Sequence, residues 1–94
     1  MAAFLIGTIT IRDASLWARY VSGVAESLEP FDAEVVFRGR KLRDLAGEQP
    51  RETVVVLRFG DAATADAWFQ SERYQQLIPL RDRAADVVIT TYSD

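Results

Sequence analysis

Two amphipathic stretches each sit between runs that alternate apolar and polar residues. This order constrains the fold more than any single motif. Residues Ala3 to Arg12 read as a strand, with Leu5, Gly7, Ile9 and Ile11 on one face and Phe4, Ile6, Thr8, Thr10 and Arg12 on the other. Asp13 fits an N-cap, because its carboxylate can accept from the free amides of the next turn. Ala14 to Leu28 follow as a helix whose stripe is Trp17, Val21, Val24 and Leu28, flanked by Leu16 and Tyr20. Pro30 stops it.

Ala33 to Arg38 read as a second strand, and "KLRDL" resumes an extended pattern after Gly39. Gly39-Arg40 can be a tight hairpin turn. Gly39 can instead mark a bulge in one long strand. The second reading is preferred, since "AGEQPRE" (46–52) makes the better turn before the strand Thr53 to Phe59. Asp61 caps a helix from Ala62 to Gln70, with Ala65, Trp68 and Phe69 facing inward. Ser71 fits a fresh N-cap for a further helix carrying Tyr74, Leu77 and Ile78, which Pro79 interrupts or kinks. Asp86 to Tyr92 form the last strand.

The order is thus β-α-β-β-α-β in one domain, 1–94. Right-handed crossovers put both helices on one face of a four-stranded antiparallel sheet, an α+β, ferredoxin-like arrangement. Two helices cover only one sheet face. If Leu5, Ile9, Leu57 and Phe59 point to the helices, then Phe4, Ile6, Val54 and Val56 point away. A contiguous apolar face of this kind is an association site, so a homodimer packed through the helix-free sheet face is expected.

Composition narrows the chemistry. There is no cysteine and no histidine. Thiolate chemistry is excluded, and the commonest general base and metal ligand are missing. No metal, haem or other cofactor is expected. The net charge of −3 argues against nucleic acid. No apolar run approaches the ~20 residues of a membrane span. The apolar start lacks a basic leader and a cleavage site, so a cytoplasmic protein is expected.

At this point the residues resemble a known family. "AFLIGTITIRDASLWARYVSGV" is similar to the opening of the domain-of-unknown-function 1330 family: a strand, an Asp cap, then aromatics three apart, here Trp17 and Tyr20. "VVFRGR" resembles its Arg-Gly-Gly turn, with Arg38 and Gly39 matching and Arg40 in place of the second glycine. "VVVLRFGDAATADAWFQSERYQQLIPLRDRAA" resembles its longest signature, through Phe59, Trp68, Ser71, Tyr74-Gln75 and Leu80-Arg81. The resemblance implies a subunit that dimerises into an α/β barrel. Cofactor-independent monooxygenases, small isomerases and haem-handling proteins share that scaffold. It supplies an architecture and not a reaction.

Six residues are candidates for a ligand site: Trp17, Tyr20, Arg38, Trp68, Tyr74 and Arg81. The aromatics can wall a cleft between helices and sheet, and either arginine can hold an anion through its planar fork. Each has a plainer role. Trp68 fits the core. The tyrosine hydroxyls can bond to backbone. Arg81 can pair with Asp82, Asp86 or a carboxylate of a neighbouring subunit, and Arg38 with the partner chain or with Glu34, which alternation would put on the same face. Three functions follow: binding of a small anionic or aromatic molecule, a cofactor-free enzyme of the monooxygenase or isomerase kind, and a dimeric interaction protein with no ligand. A pocket with convergent polar groups favours the first two.

Overall fold

A computed structural model describes residues 1–94. The elements run β1 (Ala3–Ile11), α1 (Ala14–Leu28), a 3-10 turn (Glu29–Phe31), β2 (Glu34–Arg40), β3 (Thr53–Phe59), α2 (Ala62–Gln70), α3 (Glu72–Gln75), α4 (Ile78–Ala84) and β4 (Ala85–Ser93). The four strands form one antiparallel sheet in the order β2-β3-β1-β4.

The helix boundaries follow from local chemistry. The Asp13 and Asp61 side chains accept from the amides of Leu16 and Thr64. Those backbone and side-chain hydrogen bonds hold both carboxyls below the ordinary aspartate range. Ser71 is extended, its Oγ accepts from the Tyr74 amide, and α2 ends there while α3 begins. Pro79 lies in the first turn of α4, where a missing N–H costs nothing. It starts a helix and does not kink one. No helix is long and apolar enough to cross a membrane.

Register sorts the side chains by face. Leu5 opposes Leu57, and Ala3 opposes Phe59. These residues, with Tyr20, Leu28, Ala65, Trp68 and Tyr74, make the buried core under the helices. Trp68 packs at its centre, with ring centroids 5.8 Å from Phe59 and 4.4 Å from Tyr74. Ile6 opposes Val56 and Thr8 opposes Val54 on the other face, which no helix covers. Those positions are only half-buried, and Val88 and Phe37 on the flanking strands are exposed.

Strand β2 departs from the sequence reading. Gly39 pairs regularly with Val54, and the strand continues to Arg40 without a turn. The irregularity lies at Val36, where the pairing steps from Val35↔Leu57 to Phe37↔Val56. Beyond Arg40 the chain leaves the sheet, and "KLRDL" is not a strand. Residues 41–52 instead form an arm. Lys41 Nζ donates to Asp44 (3.2 Å) and to the Gln49 carbonyl (2.9 Å), and the Lys41 amide bonds Glu52. Arg51 reaches Asp86 at 2.9 Å. Leu42 and Leu45 on this arm are 99% and 85% exposed.

Candidate functional site

Gly7 sits in β1, one of the two central strands, on the face beneath the helices. Glycine weakens a strand interior, because it packs nothing and loses the most backbone freedom. Here the Val55 side chain packs close against the glycine. A Cβ at this position would lie 3.1 Å from Val55 Cγ1. Above it is a cavity of about 170 Å³ between the sheet and α1. Leu5 and Ile9 flank Gly7 on the floor, and Trp17, Val21 and Val24 form the roof at successive turns of α1. Tyr20 and Trp68 also line it. Fifteen of the 18 lining residues are hydrophobic, so an occupant must be largely apolar; the exceptions are Gly7, Thr53 and Arg38.

Arg38 reaches this cavity because of the bulge. Simple alternation would place it with Glu34 on one face. The extra residue at Val36 resets the parity: Glu34 pairs with Arg58 on the helix-free face, while Arg38 pairs with Val55 on the cavity face. The expected Arg38–Glu34 ion pair is therefore absent, and Arg38 has no salt bridge at all. An unpaired guanidinium at the margin of an apolar cavity is a ready partner for an anionic group.

The other candidates gather behind the cavity. The Tyr20 and Tyr74 hydroxyls are 2.8 Å apart, and either can donate. Arg81 Nη1 donates to Tyr74 Oη at 3.1 Å, and its Nε donates to Asp82 at 3.1 Å. Tyr74 is fully buried, and neither it nor Arg81 lines the cavity. Burial, then the neighbouring Tyr74, pushes the Tyr20 phenol well above the ordinary tyrosine pKa. Burial works against the Arg81 charge, but Tyr74 and Asp82 outweigh it and hold its pKa above the usual value. Trp68 Nε1 donates to Ser27 Oγ at 3.0 Å, and that hydroxyl donates to the Val24 carbonyl. The polar ends of Tyr20, Tyr74 and Trp68 thus each have a hydrogen-bond partner inside the protein.

Of the six sequence candidates, Trp17, Tyr20, Arg38 and Trp68 meet at one cavity, while Tyr74 and Arg81 brace Tyr20 from behind. The tyrosines bond each other and not the backbone, and Arg81 takes the ion pair with Asp82. Gly7 and Thr53 complete the lining. The glycine was visible as a gap in an alternating strand. Thr53 carried no signal beyond its place at a strand start.

The fold is shared with several solved structures. A protein of unknown function from Rhodopseudomonas palustris matches at TM-score 0.80 and 17% identity, over 97% of this chain and 80% of that one. A dimeric ferredoxin-like protein of unknown function from Jannaschia sp. CCS1 matches at TM-score 0.69 and 9% identity over the whole of both chains. SnoaB, a cofactor-independent oxygenase from Streptomyces nogalater, matches at TM-score 0.63 and 10% identity, over 99% of this chain and 92% of that one. At these identities the likeness is one of ferredoxin-like fold. No curated protein matches the chain in sequence. The family model does match, over residues 2–92, and the chain belongs to the family described as Domain of unknown function (DUF1330).

Proposed function

We propose that this protein binds a small organic acid with an aromatic or compact apolar body, seated between α1 and the sheet with its anionic end on Arg38. The observation that carries this reading is an apolar cavity of about 170 Å³ with one unpaired cation at its margin. A cavity of about 150 Å³ accommodates a benzene ring. Gly7 lies on the cavity floor, where a Cβ would press on Val55 Cγ1 at 3.1 Å. The 94 residues act as one cytoplasmic domain. Two copies pair through the helix-free face into an α/β barrel, supported by half-buried Ile6, Val54 and Val56 and by the dimeric Jannaschia neighbour.

The test is a thermal-shift screen of benzoate, phenylacetate and benzyl alcohol. The carboxylates should stabilise wild type more than the alcohol does. Arg38→Gln should remove that preference, and Gly7→Val should abolish stabilisation by all three. Absence of any shift with wild type would leave the cavity without a ligand role. Ile6→Asp buries a charge in the proposed interface and should yield monomers in sedimentation. A wild type that is monomeric at micromolar concentration defeats the dimer.

A second reading is a cofactor-free oxygenase or isomerase, supported by the fold likeness to SnoaB and by the Tyr20 ring at the cavity. Binding is favoured because the Tyr20 hydroxyl is committed to Tyr74. Oxygen uptake with a dihydroxyphenol in an oxygen electrode would reverse that preference.

A further inference from the structure

Four side chains with polar atoms line the cavity between α1 and the sheet: Tyr20, Arg38, Thr53 and Trp68. Two of them are already engaged. Tyr20 Oη bonds Tyr74 at 2.8 Å, and Trp68 Nε1 donates to Ser27 at 3.0 Å. The other two are free: neither the Arg38 guanidinium nor the Thr53 hydroxyl takes part in a hydrogen bond or an ion pair. Arg40, directly opposite Thr53, pairs with Glu52 at 3.7 Å and does not line the cavity. The free pair lies together. Arg38 stands opposite Val55, and Thr53 is two residues before Val55 on the same face. Diagonal neighbours of this kind are about 7–8 Å apart, within reach of a long side chain.

We infer that the ligand is an aryl-substituted 2-hydroxy acid, with its carboxylate on Arg38, the adjacent hydroxyl on Thr53 Oγ1 and its ring under α1. The inference rests on the binding reading above and narrows it. A carboxylate and a hydroxyl on neighbouring carbons form one compact polar end. Arg38 can donate to the carboxylate, while the Thr53 hydroxyl can donate to or accept from the ligand hydroxyl. The other side chains of the lining are apolar or already bonded. A hydroxyl carried on the ring would therefore be buried without a partner, which costs affinity. Carboxylate, hydroxyl and ring leave one carbon toward three different elements, β2, β3 and α1. Three unlike contacts distinguish the two hands of such a molecule.

Titration calorimetry with phenylacetate, (R)-mandelate and (S)-mandelate tests this on wild type, Thr53→Val and Thr53→Ser. Wild type should bind one mandelate enantiomer roughly threefold to tenfold more tightly than phenylacetate, the worth of one added hydrogen bond. The other enantiomer should gain nothing over phenylacetate. Thr53→Val keeps the shape of the side chain and suits a strand, so it should still bind phenylacetate while losing the preference between enantiomers. Thr53→Ser keeps the hydroxyl and should retain that preference. If wild type binds phenylacetate and both mandelates alike, the hydroxy-acid assignment is overturned and the small-acid reading stands. If wild type binds none of the three, both fall together. A preference that survives in Thr53→Val, or disappears in Thr53→Ser, also overturns the assignment.

Discussion

Arg38 and Arg81 occupy opposite situations on the helix side of the sheet. Arg81 donates to Tyr74 and Asp82, its side chain is 18% exposed, and its neighbours close over a satisfied cluster. Arg38 is exposed, pairs with nothing, and stands where a carboxylate end can reach it. Both residues begin as equal candidates for an anion partner. The difference teaches that a polar group whose hydrogen bonds are already used holds structure, whereas an unused one beside an apolar space is available to a ligand.

The comparison breaks most severely at Trp68, which lines the cavity and stacks on Tyr74. Trp68→Ala should cost about 3–5 kcal/mol in urea denaturation, because it removes a ring from a dense core and strands Ser27. A loss under 1 kcal/mol would mean that the core collapses around the gap. Next come Tyr74→Phe and Arg81→Gln. Each cuts the hydroxyl cluster and should cost about 1–3 kcal/mol, with ligand affinity reduced only through Tyr20. Loss of ligand binding at unchanged stability would instead make Arg81 a contact residue.

A pH titration sharpens the same contrast. The folded-state pKa of Tyr20 is raised, so the fold favours the neutral phenol. That contribution is fully present below the ordinary tyrosine value of 10.0 and is lost as pH rises above it. Tyr20→Phe should flatten the alkaline loss of stability seen in urea denaturation. The smallest effect on the fold belongs to Arg38→Gln, expected within about 0.5 kcal/mol of wild type. A larger loss would show that Arg38 is held by the structure after all.

Much of the fold was legible in particular residues. Alternation placed Leu5, Ile9, Leu57 and Phe59 under the helices, where they lie buried. Asp13, Asp61 and Ser71 announced their helices because a capping oxygen beside free amides has one strong use. The bulge at Val36 was not legible. Val35, Val36 and Phe37 are all apolar, so nothing in the pattern says which of the three is the extra residue. Gly39 drew attention as the irregular residue, yet it pairs normally, with the Phe37 ring lying over it: a Cβ there would come within 2.6 Å of that ring. One misplaced residue was enough to assign Arg38 to the wrong face. Tyr74 and Arg81 meet across Pro79, with Arg81 Nη1 donating to Tyr74 Oη, but no sequence pattern distinguishes a pair that faces a cavity from one that seals against it.

The bulge also decides where this chain can change length. Residue 36 is the one supernumerary position in a ladder that otherwise matches β2 to β3 residue for residue. Losing the Val36 codon would straighten the strand and leave Val35 opposite Leu57, Phe37 opposite Val56 and Arg38 opposite Val55. Losing a codon from 54 to 57 would invert the side chains beyond the cut, turning Arg58 onto the helix face and Phe59 away from the core. A library of single-codon deletions, sorted for folded chains, should therefore retain the deletions at 35 and 36, which give the same protein, and discard those at 54 to 58, so that the lineage's freedom to shorten its sheet is confined to this pair of valine codons.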